Sequence, residues 1–263
     1  MRCTGEEELE VRGGQVLCIF AALLSLACGS DAEPEGGRER DLPIVRDDGW
    51  PVVEGKVNGR TLRLLIDTGA EQTVISSAWL GLPDQVLTKA RPLCLGELCL
   101  DGEPIYAWET PFSSVQGEVN GFVGMSTLGR YVVEFKQGKS VRIGDELCAG
   151  DEVQLGFTSY GAPTVPATVE ALPLDDVVID SGSLYTLLSQ STSDALAIAG
   201  AQQDVCTVNG CSDAVLGQVE TYCVGSICEN AVKVKFPLFD AVGARWLARR
   251  RVAIGADRLV SCH

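Results

Sequence analysis

Two aspartates stand where the chain otherwise reads as core strand. Asp67 closes the apolar run Leu64-Leu65-Ile66 and is followed by Thr68, Gly69 and Ala70; Asp180 closes Val177-Val178-Ile179 and is followed by Ser181, Gly182 and Ser183. An unpaired buried carboxylate costs several kcal/mol or stays protonated, so an acid carried into a sheet needs a reason. A single Asp-Thr-Gly reads as a turn between two strands. The histidine count narrows the chemistry that remains, because the one histidine, His263, is the last residue. Unless the terminus supplies it, a Ser-His or Cys-His nucleophile pair has no base, and histidine-ligated zinc is excluded. Without a cofactor, acid–base chemistry in this chain belongs to carboxylates.

The elements that must position these acids occur twice. IDTGAEQTVIS at residues 66–76 is echoed by IDSGSLYTLLS at residues 179–189. Cys94 and Cys206 follow their aspartates at nearly equal distances. Each half then reaches an apolar-apolar-Gly step, Phe122-Val123-Gly124 and Ala253-Ile254-Gly255. Landmarks shared in the same order indicate an internal duplication of a unit of roughly a hundred residues. Within a unit the local signals are all-β. Residues 51–67 read as two strands joined at Asn58-Gly59, a dipeptide that favours the type I′ hairpin. Residues 131–144 read as a second hairpin with its turn near Gln137-Gly138. One helical turn is expected in MSTLGR after Gly124, and residues 194–203 fit a short helix or a loop. Residues 239–251 are the best helix candidate, weakened by Gly243.

The 263 residues suffice for one large domain or two small ones. With 36 acidic against 21 basic side chains the formal charge is −15, which argues against a nucleic-acid partner and suits a soluble protein. Residues 16–28, VLCIFAALLSLAC, are apolar, too short to span a bilayer comfortably, and match a signal-peptide core ending in small residues. They resemble a bacterial lipoprotein signal, which makes residues 1–28 a signal peptide and Cys28 the expected lipidation site; a secreted or periplasmic product is the alternative. The acidic EEELEVR before this run suggests a true start near Val11. Residues 29–49 read as a flexible tether. Of the eleven cysteines, losing Cys3 and Cys18 and acylating Cys28 leaves eight, an even set suited to an oxidising compartment. Cys94/Cys99, Cys206/Cys211 and Cys223/Cys228 have the spacing of bridged hairpins, leaving Cys148 and Cys262 to pair over a long range. A metal site from the four cysteines at 206, 211, 223 and 228 is the alternative, less suited to export.

Apolar-apolar-Asp-Thr/Ser-Gly-Ala/Ser followed by apolar-apolar-Gly resembles the signature of the aspartic proteases. The short lobes and Ala70 are similar to a retropepsin subunit, while two copies in one chain resemble the pepsin arrangement; the resemblance covers residues 50–261. It implies an all-β aspartic-protease fold of two pseudo-twofold-related, β-barrel-like lobes with few short helices, residues 50–147 carrying Asp67 and residues 148–263 carrying Asp180. Asp67 and Asp180 would then be the catalytic pair, sharing one proton with their apparent pKa values split apart. Water between them would be deprotonated by one and the scissile carbonyl polarised by the other. Thr68 and Ser181 would support the loops through their hydroxyls, and Gly69 and Gly182 would leave room for close packing. Gly124 and Gly255 would pack behind. Ser183 can donate to Asp180 whereas Ala70 cannot do so for Asp67, so Asp180 is expected to be the ionised member. The expected activity is that of an aspartic endopeptidase acting on peptide or protein substrates, monomeric, needing no metal or cofactor, and lipid-anchored in the cell envelope. The alternative is a catalytically inactive peptide-binding lipoprotein on the same scaffold.

The family closes its cleft with a β-hairpin flap. Residues 93–100 are the first-lobe candidate and residues 206–211 their counterpart, each equally readable as a stapled surface hairpin; Tyr106 is the nearest match to the flap tyrosine. Few residues follow Gly255, so the second lobe is expected to lack the terminal hairpin that follows Gly124, with Cys262 anchored to Cys148. Zymogen control by a long pro-segment is not expected between Cys28 and Trp50.

Overall fold

The structure, a computed structural model, describes residues 40–109, 119–207 and 210–263, all within the unit Gly37–His263. The signal-like run, Cys28 and the polar stretch up to residue 39 lie outside the described residues, as do the side chains of Cys206 and Cys211.

After β1 (Arg40–Pro43), one sheet forms from β2 (Val52–Val57), β3 (Arg60–Ile66), β4 (Val74–Ile75), β5 (Val86–Lys89), β6 (Leu93–Leu95), β7 (Leu98–Leu100), β8 (Pro104–Ala107) and β9 (Gly121–Val123). A single helical turn, α1 (Ser77–Leu80), follows β4, and the strand order is β5-β8-β4-β9-β3-β2-β6-β7. In β2, Val53, Gly55 and Val57 are buried while Glu54 and Lys56 face solvent, the period-two pattern of a half-covered strand. The β2–β3 turn holds Asn58 at φ 50° and Gly59 at φ 76°, the type I′ geometry expected of Asn-Gly.

Next come α2 (Met125–Leu128) and the hairpin of β10 (Val132–Lys136) and β11 (Ser140–Gly144), which turns at Gln137 and Gly138 as expected. The second half begins with β12 (Gly150–Gln154), β13 (Gly156–Phe157), β14 (Pro163–Val169), β15 (Leu172–Asp180) and β16 (Thr186–Ser189). It continues through α3 (Gln190–Ala195), β17 (Gly200–Thr207), β18 (Gly210–Val224), β19 (Ile227–Leu238), β20 (Ala241–Gly243), α4 (Ala244–Ala248), β21 (Arg251–Ile254) and β22 (Arg258–Cys262). Its sheet runs β13-β14-β15-β20-β16-β19-β18-β17, and β14 pairs with β18 as well, so the sheet curls into a barrel-like closure. The chain is all-β.

The two halves thread alike. Strand β9 slots between β3 and β4, parallel to the first and antiparallel to the second; β20 slots between β15 and β16 in the same senses. A third, antiparallel sheet takes strands from both halves in the order β1-β11-β10-β21-β22-β12, with β10 against β21 from Val133↔Ile254 to Lys136↔Arg251. One continuous core contains Ile66, Val123, Ile179 and Val242, each almost wholly buried. Burying each such side chain stabilises the fold by about 1.5–3 kcal/mol.

Residues 40–43, read as part of a flexible tether, form β1 against β11 with Leu42 buried; three further expectations change and one open alternative narrows. First, residues 239–251 are not one helix: Ala241–Gly243 is a strand, and only Ala244–Ala248 is helical. The slot between β15 and β16 captures Ala-Val-Gly, so pairing overrides helical propensity. Second, of residues 194–203, read as a short helix or a loop, only Asp194 and Ala195 are helical, at the end of Gln190–Ala195, where the Ser189 hydroxyl accepts from Thr192 N, and Gly200 opens β17. Third, the second half does have a terminal hairpin, β21–β22, equivalent to β10–β11. Fourth, the β6–β7 hairpin is part of its sheet: β6 pairs with β2, and Leu93, Cys94 and Leu95 are buried. That favours the stapled-hairpin reading of residues 93–100 over the flap.

Cys94–Cys99, Cys148–Cys262 and Cys223–Cys228 lie at disulfide-bonding distance, as the spacing predicted. Strand β18 pairs with β19 only from Val215 onward, whereas the β17–β18 ladder runs out to Thr207↔Gly210, so its outer part is a two-stranded arm.

Candidate active site

Both aspartates sit at the ends of central strands, β3 and β15, and each is only 8% exposed. Asp67 N donates to Val123 O at 3.0 Å, tying the first loop to the inserted strand β9. The next residue in each loop reaches across to the other half. Thr68 Oγ1 donates to Ile179 O at 2.6 Å and accepts from Ser181 N at 3.1 Å. Ser181 Oγ donates to Ile66 O at 2.7 Å and accepts from Thr68 N at 3.0 Å. Both side chains are fully buried, so this reciprocal set satisfies hydroxyls that would otherwise be costly to desolvate.

The glycines prove to be cut to fit the opposite acid. A Cβ on Gly69 would collide with the Asp180 carboxyl, and one on Gly182 would collide with the Asp67 carboxyl. The room expected at these glycines is thus filled by the carboxyl of the opposite aspartate. Asp67 Oδ1 accepts from Gly69 N at 3.0 Å and Ala70 N at 3.1 Å. Asp180 Oδ1 accepts from Gly182 N at 2.9 Å, and its Oδ2 accepts from the Ser183 hydroxyl at 2.6 Å.

Burial and then the negative charge of Asp180 push the Asp67 carboxyl well above the usual carboxylate range. Burial raises Asp180 too, but the Ser183 hydroxyl and the Gly182 amide oppose the shift. These contacts favour the charge on Asp180 and the proton on Asp67, the direction that Ser183 suggested.

Behind the loops stand two glycines, and one differs from expectation. A Cβ on Gly124 would meet the carbonyl oxygens of Gln72 and Ala70; a Cβ on Gly243 would meet the Tyr185 carbonyl. Gln72 and Tyr185 are each five residues beyond their aspartate. Met125 N bonds Ala70 O at 2.8 Å and Ser126 N bonds Glu71 O at 2.7 Å; Ala244 N bonds Ser183 O at 2.7 Å and Arg245 N bonds Leu184 O at 3.1 Å. Gly243 is therefore the counterpart of Gly124. Gly255 instead lies beyond β21, against the Leu147 side chain. The signal was present, since Ala241-Val242-Gly243 also fits apolar-apolar-Gly and stands nearer to the spacing of Gly124 from Asp67.

The surroundings differ between the halves. Ala70 packs into an apolar cluster with Val74, Phe122, Tyr106 and Trp108. Tyr106 lies on β8 with its ring edge-on to Trp108, 6.4 Å between centroids, and is a member of this wall. On the other side Tyr185 carries two cations, Lys235 and Arg245, which the sequence did not single out. Among the described residues no group of three His, Cys, Asp or Glu side chains is arranged to hold a metal ion. Compared with known proteins, the chain matches no family model and no curated protein.

Proposed function

We propose that this chain is an aspartic-type endopeptidase that hydrolyses peptide bonds with a water activated between Asp67 and Asp180. The observation that carries the reading is the pair itself: two buried carboxyls brought together, each seated on the glycine of the opposite loop. A binding protein has no use for two acids forced together at such a desolvation cost. In the proposed cycle Asp180 takes a proton from the water as its oxygen attacks the carbonyl carbon. Asp67 gives its proton to the carbonyl oxygen, producing a neutral gem-diol. Collapse returns one hydroxyl proton to Asp67, Asp180 passes its proton to the leaving nitrogen, and the C–N bond breaks. Acid and amine leave with the pair reset.

The two lobes of the aspartic-protease fold belong to the same proposal, supported by the like threading of β3-β9-β4 and β15-β20-β16. So does a lipid-anchored place in the cell envelope, supported by the signal-like residues 16–28 and by cysteine pairs at disulfide-bonding distance.

The test is cleavage of a diverse peptide mixture between about pH 3 and 7 by the full chain produced in an exporting host. Asp67→Asn and Asp180→Asn should each lower the rate by about 10²–10⁴-fold. A rate that survives both substitutions overturns the assignment.

A further inference from the structure

Beyond Asp180 the loop runs through Leu184 to Tyr185, where three elements converge. Lys235 Nζ, from β19, lies 4.7 Å from the centroid of the Tyr185 ring, and Arg245 Cζ, from α4, lies 4.4 Å from it. Register fixes both cations: Lys235 stands opposite Leu187 in the parallel β16–β19 pair, and Arg245 N bonds Leu184 O. The stem of Arg245 is also close under the backbone of Gly49, whose Cβ position lies 3.4 Å from Arg245 Cγ. The cluster is built rather than incidental.

Its charge is unanswered. Acids outnumber bases 36 to 21 in this chain, and Arg130, Lys136, Arg250, Arg251 and Arg258 all have carboxylate partners. Among the described residues Lys235 and Arg245 have none. Burial, reinforced by the like charge of Arg245, holds the Lys235 ammonium below its ordinary pKa. Two half-buried cations side by side without an anion are a standing cost that an incoming carboxylate relieves, and charge-assisted bonds to it are stronger than neutral ones.

We propose that Tyr185, Lys235 and Arg245 form a subsite for a carboxylate of the peptide substrate, adjoining the loop of Asp180. This rests on the peptidase reading above and narrows it. The Asp67 side offers the apolar wall at Ala70, Phe122 and Tyr106. The favoured substrate therefore carries an apolar side chain on one side of the cleaved bond and an acidic group on the other. That group is either an Asp or Glu side chain or the carboxylate of a chain end.

Three peptides separate the possibilities: one with an internal Glu and an amidated end, the same peptide with Gln, and the Gln peptide with a free C-terminal carboxylate. The full chain should cleave a carboxylate-bearing peptide with kcat/KM on the order of tenfold above the amidated Gln peptide. Which peptide gains tells side chain from chain end. The preference should vanish in Lys235→Gln/Arg245→Gln and persist in Lys235→Arg, with thermal unfolding of each variant confirming that it is folded. Equal rates on all three peptides, or a preference that survives loss of both cations, overturns the subsite and leaves the peptidase reading standing. If nothing is cleaved, that reading fails and the subsite is judged by fluorescence anisotropy of the same labelled peptides. Tighter binding of a carboxylate-bearing peptide supports it, and equal or absent binding overturns it.

Discussion

Ser183 donates its hydroxyl to Asp180 at 2.6 Å, and the matching position beside Asp67 is Ala70, which offers only its backbone N–H. That hydroxyl stabilises the charged form of Asp180, so removing it raises the pKa at which Asp180 ionises. For Ser183→Ala the acidic limb of the kcat/KM profile should move to higher pH, with activity below the limb falling on the order of tenfold. The alkaline limb, set by loss of the Asp67 proton, should move less. An unmoved acidic limb would make Asp67 the ionised member. This asymmetry was legible in the sequence because it depends on a residue three positions from its aspartate. The Tyr185 cluster was not, because the loop after Asp180, β19 and α4 deliver its members from distant stretches and only the fold brings them together.

At the scale of elements, the inserted strand decides where each acid points. Strand β20 places Gly243 against the Tyr185 carbonyl, and the N–H groups of Ala244 and Arg245 hold the carbonyls of Ser183 and Leu184. A methyl there must displace backbone. Gly243→Ala should therefore cost about 1–3 kcal/mol of stability. A displacement of about 1 Å in the loop should lower peptide kcat/KM by around 10²-fold. Gly255→Ala meets only the Leu147 methyls at 3.2 Å and the Arg258 carbonyl at 3.4 Å. Its effect on unfolding midpoint and rate should be slight. The opposite ranking would restore Gly255 as the partner of Gly124. The two hairpin turns, at Asn58-Gly59 and Gln137-Gly138, were readable because a tight turn is decided by the residues within it. Strand β20 was misread because three small apolar residues carry no period of their own. Their strand conformation comes from β15 and β16 on either side.

Across the whole molecule, the two loops can meet only if the halves keep a fixed register, and the six-stranded sheet is where they are joined. At its centre Glu134 of β10 is fully buried between two guanidinium groups. Arg142 from β11 approaches it with N–O 2.6 Å, and Arg251 comes from β21 of the other half. The Cys148–Cys262 pair ties the end of β22 to the segment before β12 on the same sheet. A buried ion pair adds little net stability over an apolar replacement, but removing one member leaves an uncompensated charge. Glu134→Gln removes the buried negative charge that faces both Arg251 and Arg142, the latter only 7% exposed. The loss should be about 3–5 kcal/mol, or on the order of 10 °C in unfolding midpoint for a domain of this size. Because the described hydrogen bonds of Asp67 and Asp180 go to their own loops and to β9, not to this sheet, the variant should keep near wild-type peptide kcat/KM well below its midpoint. A normal midpoint would mean that the hydrophobic core alone holds the halves in register. A normal midpoint with a fallen rate would mean that the sheet sets the distance between the two acids rather than the stability of their frame.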